Sequence, residues 1–243
     1  INIMELLEDQ DCRLEGYEQD LKQIIQKIGW KKASEIADTS ADIYVYLRKG
    51  VQHSNIPINT FKQLAKEANH GYTSSTFLIK RGTSKTLEAE IEVSKDFCRF
   101  LGYYASEGYT QKGSSVVVFS NGNFRIVEDI ISLSKNLFNI TPFVRETRGL
   151  GISTQISLSN KVLGLLLDKI GCGRIATEKR VPPFIFGLSE DKICEYLKGY
   201  FDGDGCQLVS ESSGNEISAS TVSKGLANDL MYLFLCLGIV ARV

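Results

Sequence analysis

FLGYYASEG at 100–108 and LKGYFDGDG at 197–205 say nearly the same thing twice. Each is an apolar helical run with a glycine in the middle. Each closes on an acid followed by glycine, Glu107–Gly108 in the first copy and Asp204–Gly205 in the second. Residues four apart lie on one face of an α-helix, and Gly102 with Ser106 and Gly199 with Gly203 are such pairs. Small residues on a shared face let two backbones approach where larger side chains would hold them apart. The spacing therefore predicts that a helix over 94–107 packs directly on a helix over 190–204, with their acids at neighbouring ends.

Those ends are the wrong place for negative charge. A helix C-terminus carries free carbonyls and the negative end of the dipole, and two nearby carboxylates repel each other. Both penalties favour a divalent cation, and hard oxygen donors favour Mg²⁺. Metal ions held by paired carboxylates beside a phosphodiester polarise the phosphoryl oxygen and lower the pKa of a bound water. A plainer reading is a tight helix seam with solvated C-terminal acids before a C′ glycine; two copies at matching places argue against it.

Outward from the motifs, the flanking elements repeat as well. FNITPFV (138–144) aligns with LGIVARV (237–243), so an α-β-β-α-β unit recurs after about a hundred residues. Periodicity predicts strands near 109–112 and 115–120, a helix over 123–138, strands near 142–147 and 151–158, and a helix over 160–169. The second unit has strands near 206–210 and 215–220, a helix over 223–237 and the start of a strand at 239–243. The expected fold is α+β, with a first repeat over 94–189 and a second over 190–243 that stops before its counterpart does. Residues 1–70 read as a small helical domain, and the Gly/Ser/Thr-rich 71–93 as an extended linker.

Composition excludes little. The 243 residues are 43% hydrophobic and 23% charged with a net charge of −1, an ordinary globular profile. Nucleic acid as a partner then needs local basic residues, not a basic total. No apolar run approaches the roughly 18–20 residues of a membrane span. Cys12, Cys98, Cys172, Cys194, Cys206 and Cys236 form no CxxC pair and read as reduced thiols of a cytoplasmic protein.

Both nonamers, and the approach VPPFIFG (181–187) to the second, resemble those of the LAGLIDADG homing endonucleases, most closely the two-motif type found inside inteins. The resemblance covers about 94–243. It implies a pseudo-twofold pair of αββαββα repeats in a monomer, whose saddle-like sheets ride in the major groove of double-stranded DNA. It also implies Mg²⁺- or Mn²⁺-dependent cleavage of both strands at a long target, leaving 3′ overhangs. On the same ground Glu107 and Asp204 are the metal-binding catalytic acids, with backbone ligands at Ser106 and Gly203. Glu in place of Asp in the first motif is a departure that changes the reach to the metal. Lys179, in EKRVP (178–182), matches the family's lysine near the scissile phosphates, and its counterpart in the second repeat would lie past residue 243. Asp202 is on a different helix face from Asp204 and is not counted as a ligand.

A saddle needs polar side chains on its strands. Gln111, Lys112, Arg145, Arg148, Gln155, Arg180, Gln207 and Asn215 are candidates, since Arg reads guanine and Gln reads adenine. For each alone, ordinary solvent exposure competes. Residues 31–50 also look like a helix-turn-helix with a recognition helix over 41–48 and contacts from Tyr44, Arg48 and Lys49, or else a plain helical packing unit. Two other functions compete with a nuclease. One is a scaffold that binds DNA or RNA without cutting, as a maturase or transcriptional regulator. The other is a metal-independent carboxylate enzyme such as a glycosidase.

Overall fold

The computed structural model describes residues 1–7, 12–38, 43–47, 55–82, 84–111, 113, 115–148, 152–210 and 214–242. The chain divides into two units, Ile1–Ile91 and Glu92–Val243.

The first unit holds α1 (Ile3–Leu6), β1 (Cys12–Glu15), α2 (Glu18–Ile28), α3 (Trp30–Ile36), α4 (Ile58–Glu67), β2 (Leu78–Arg81) and β3 (Leu87–Glu88). Leu21, Ile24 and Ile25 on α2 and Phe61, Leu64 and Ala65 on α4 recur at helical spacing and supply its core. Tyr17, Phe61, Tyr72 and Phe77 meet edge-on or stacked within it. Two expectations change here. The unit is not purely helical, and the stretch read as a linker supplies β2 and β3, which join β1 in an antiparallel sheet ordered β1-β2-β3. Thr and Ser serve turns and strands equally, and the buried Ile79 and Leu87 decide for the sheet. The expected recognition helix is a 3-10 turn over Ile43–Leu47. The rest of that helix, Arg48 included, and the candidate contact Lys49 lie outside the described residues.

The second unit follows the expected order closely. It runs α5 (Lys95–Glu107), β4 (Gly108–Thr110), β5 (Val117–Asn121), α6 (Phe124–Phe138), β6 (Phe143–Arg148), β7 (Ile152–Leu158) and α7 (Lys161–Lys169). The second pass is α8 (Glu190–Asp204), β8 (Gly205–Ser210), β9 (Gly214–Ala219) and α9 (Lys224–Cys236). The architecture is α+β with antiparallel sheets, ordered β4-β5-β7-β6 in the first repeat and β8-β9 in the second. Matching side-chain caps start the equivalent helices α6 and α9, Asn123 accepting from Arg125 N and Ser223 from Leu226 N. The strand expected at 239–243 is absent over 239–242. Among the described residues no neighbouring strand is there to take its backbone hydrogen bonds.

The core of this unit lies between α5 and the sheet. Phe100 meets Phe119 and Phe138 edge-on, with centroids 5.4 and 4.9 Å apart. Each such fully buried ring contributes about 1.5–3 kcal/mol. No helix of the described residues is long and apolar enough to cross a membrane.

Candidate active site

α5 and α8 pack at backbone distance. A Cβ placed on Gly102 would lie 2.1 Å from the Tyr196 carbonyl oxygen and 3.0 Å from Gly199 Cα. One on Gly199 would lie 2.3 Å from the Arg99 carbonyl oxygen. One on Gly203 would lie 2.3 Å from Ser106 Oγ and 3.0 Å from Glu107 Cγ. Gly102 and Gly199 are therefore required by the seam, since each meets backbone, whereas Gly203 faces the Ser106 and Glu107 side chains. The side chain of Glu107 runs past the residue that precedes Asp204, so both helix ends deliver their acids to one place.

The electrostatics fit that placement. Burial raises the Glu107 pKa, and the charge of Asp204 raises it further, against a lowering hydrogen bond from Asn121. That bond runs from Asn121 Nδ2 to Glu107 Oε1 at 2.6 Å. Asp204 is exposed, and partial desolvation of its carboxyl raises its pKa as well. Two raised carboxylates at helix C-termini are a donor set that a divalent cation suits. Among the described residues no group of three His, Cys, Asp or Glu side chains could hold a metal. Further ligands would have to come from backbone oxygens such as those of Ser106 and Gly203, from water and from a phosphate. Ser106 Oγ itself donates back to the Gly102 and Tyr103 carbonyls at 3.3 Å.

Asn121 is absent from the sequence-based candidates. The structure brings it in because β5 runs back along α5, with Phe119 opposite Gly108. Its amide makes two bonds, the one to Glu107 and one accepted from Asn123 N at 2.6 Å. A polar residue just before a helix cap reads as turn chemistry in a sequence, and nothing there marks the second bond.

Lys179 is buried and already engaged. It is 2% exposed, donates to the Tyr104 carbonyl at 2.8 Å and sits 3.2 Å from the Tyr104 ring centroid. Burial pushes its pKa down to about 7. Its own carbonyl accepts from Ser223 Oγ at 2.8 Å, which ties it to the start of α9. Arg180 is clamped by Asp229 through Nε at 2.6 Å and Nη2 at 2.9 Å, and the same carboxylate accepts from Val181 N at 3.1 Å. Asp202 is exposed and lies at the limit of hydrogen bonding from Tyr103 Oη, at 3.5 Å.

Of the residues assigned to DNA, Arg145 and Gln155 come together. They are register partners on β6 and β7, joined from Arg145 Nη2 to Gln155 Oε1 at 2.7 Å, and Gln155 Nε2 reaches Tyr109 Oη at 3.4 Å. This row lies on the sheet face opposite the one Phe119 and Thr110 turn to the helices. Gln111 is exposed just past β4. Arg148 ends β6 opposite Ile152. Gln207 pairs with Ile217 exactly where Thr110 pairs with Val117 in the first repeat, so it occupies the face that the first repeat covers with helices. Asn215 pairs with Val209 in the β8–β9 register. Tyr44 is 43% exposed on its 3-10 turn, and Lys112 lies outside the described residues.

Residues 191–243 match the LAGLIDADG-like domain. The chain is 35% identical over 186 residues to an uncharacterized protein of Methanocaldococcus jannaschii, a match covering 73% of this chain and 21% of that protein. It is 34% identical over 239 residues to a DNA polymerase of Thermococcus sp. (strain GE8), covering 89% of this chain and 13% of the polymerase. The chain thus spans about a fifth or less of the length of these relatives. A crystal structure of I-DmoI in complex with DNA and Mn aligns at a TM-score of 0.43 and 14% identity, over 62% of this chain and 82% of that one.

Proposed function

We propose that this LAGLIDADG-type chain, with its LAGLIDADG-like domain over residues 191–243, is a site-specific double-strand DNA endonuclease, the nuclease part of an intein. The observation that carries the reading is the α5–α8 seam. Gly102 and Gly199 allow backbone contact, and that contact sets Glu107 and Asp204 side by side at the ends of their helices. A plain packing seam has no use for two partly desolvated carboxylates there.

In this reading Glu107 and Asp204 hold Mg²⁺ or Mn²⁺, helped by the carbonyls of Ser106 and Gly203. A bound divalent cation supplies polarisation of the phosphoryl oxygen and a lowered pKa for its water. Asn121 fixes the rotamer of Glu107 by holding Oε1, which leaves Oε2 for the ion. The Tyr109–Gln155–Arg145 row offers a phenol, an amide and a guanidinium to the major groove, the groups that read base edges. Lys179 supports the end of α5 from beneath through the Tyr104 carbonyl, and it reaches a phosphate only if that bond is exchanged.

That last point favours a second reading, a DNA- or RNA-binding protein that keeps the scaffold and does not cut. The full-length chain, incubated with supercoiled plasmids bearing a randomised target library, decides between them. Linear product that forms with Mg²⁺ and vanishes with EDTA supports the nuclease. Tight DNA binding with no cutting of any target favours the binder.

A further inference from the structure

The outer face of α2 is chemically selective. The helix buries Leu21, Ile24 and Ile25 and exposes Gln19, Lys22, Gln23, Gln26 and Lys27. Its acids are turned aside. Asp20 is bonded to His70 Nε2 at 2.9 Å, and Glu18 is half-buried beside Tyr17. The exposed face therefore carries glutamine and lysine and no carboxylate.

The pattern continues past the helix end. Gly29, at φ 83°, breaks α2, and Trp30 then stands 57% exposed at the head of α3, followed by Lys31. Ile28, Gly29, Trp30, Lys31, Lys32 and Glu35 line a shallow depression of about 450 Å³. Lys32 is paired with Glu67. Among the described residues no carboxylate pairs with Lys22, Lys27 or Lys31.

We propose that this surface is a second DNA contact, made by the first unit through α2, with B-form duplex as its ligand. An exposed helix of eleven residues is about 16 Å long and fits the major groove. Glutamine amides match the donor–acceptor pair on adenine, and lysines match guanine or phosphate. Lys22, Lys27 and Lys31 complement the backbone charge that dominates DNA affinity. The indole of Trp30 supplies a flat apolar face against sugar or base edge. The contact centres on α2, not on the recognition helix expected over 41–48, and it rests on the nuclease reading only for the choice of ligand.

Trp30 is the chain's sole tryptophan, so selectively excited tryptophan emission reports on this surface. The full-length chain is titrated with a labelled duplex, following label anisotropy and tryptophan emission together across a salt series. The proposal expects emission to change saturably with the same midpoint as anisotropy. It expects the Lys22→Glu/Lys27→Glu double variant, with unchanged circular dichroism, to bind about tenfold more weakly and with a salt slope shallower by about 2, at ~0.9 per phosphate contact. Binding with silent emission and unchanged affinity in the double variant overturns it, as does no binding to any duplex. Plasmid cutting with a silent Trp30 sinks this contact and keeps the nuclease. A responsive Trp30 without cutting does the reverse.

Discussion

Asn121 Nδ2 grips Glu107 Oε1 at 2.6 Å, and the two repeats differ at this point. The register that sets Phe119 opposite Gly108 sets Ala219 opposite Gly205, so Thr221 matches Asn121. Thr221 Oγ1 accepts from Ser223 N at 3.2 Å, as Asn121 Oδ1 accepts from Asn123 N, but threonine has no amide arm to extend to Asp204. The longer acid is thus paired with an orienting amide and the shorter acid is not. Asn121→Ala should lower kcat/KM for plasmid cleavage by about 10–100-fold, the usual cost of losing a group that orients a metal ligand. Thr221→Ala should cost far less, and equal effects would remove the asymmetry.

Asp204→Asn and Glu107→Gln should each abolish cleavage while leaving DNA affinity within a few-fold in a gel-shift titration. Neither should lower stability. A carboxylate whose folded pKa is raised costs stability once pH exceeds that folded value and none at low pH, where both states are protonated. Both acids are raised, so removing either charge should leave the metal-free Tm at pH 7 unchanged or higher. A fall of several degrees in both variants would assign the acids to the fold instead of the chemistry.

Metal should act through the same groups. A ligand that binds the folded state alone raises its stability by about 2.7 kcal/mol at a hundred times its Kd. Saturating Mg²⁺ should therefore raise the Tm of the parent chain and leave that of Asp204→Asn nearly unmoved in a thermal melt. An equal rise in both would place the ion elsewhere.

Gly102→Ala should be the most damaging methyl that can be added to the seam, because it meets the Tyr196 carbonyl at 2.1 Å and backbone cannot swing away. Overpacking of this kind costs about 1–3 kcal/mol or more. Gly187→Ala meets nothing within 4 Å and serves as the control. Chemical denaturation of the two variants should differ by that amount, and cleavage should fall with the seam variant even where it remains folded.

Lys179 should leave a signature in stability against pH. Its pKa is lowered to about 7 by burial, so the unfolded chain holds this proton and the folded chain does not between about pH 7 and the ordinary lysine value near 10.4. Stability then rises with pH through that window and is lost as pH falls toward 7. Lys179→Met should flatten the slope between pH 7 and 9. If Lys179→Ala also slows cleavage with little change in affinity, the residue supports chemistry as well as α5; an unchanged rate confines it to support.

What sequence alone determined here is whatever local spacing encodes. The paired nonamers told of two helices in backbone contact, and the glycines at 102, 199 and 203 meet the opposing helix as that spacing requires. Helical and alternating periods likewise located the elements of the second unit to within a few residues. Tertiary structure alone decided what depends on register and on which elements meet. It brought Asn121 to Glu107, set Lys179 beneath the Tyr104 carbonyl, closed Asp229 on Arg180, and put Gln207 on the face opposite the Arg145–Gln155 row. It also turned a Gly/Ser/Thr-rich stretch into β2 and β3. The reason is physical. A helix face is fixed by residues three and four apart, which sequence spacing records, whereas a cross-strand partner or a buried amine's acceptor is chosen by long-range packing that no short stretch contains.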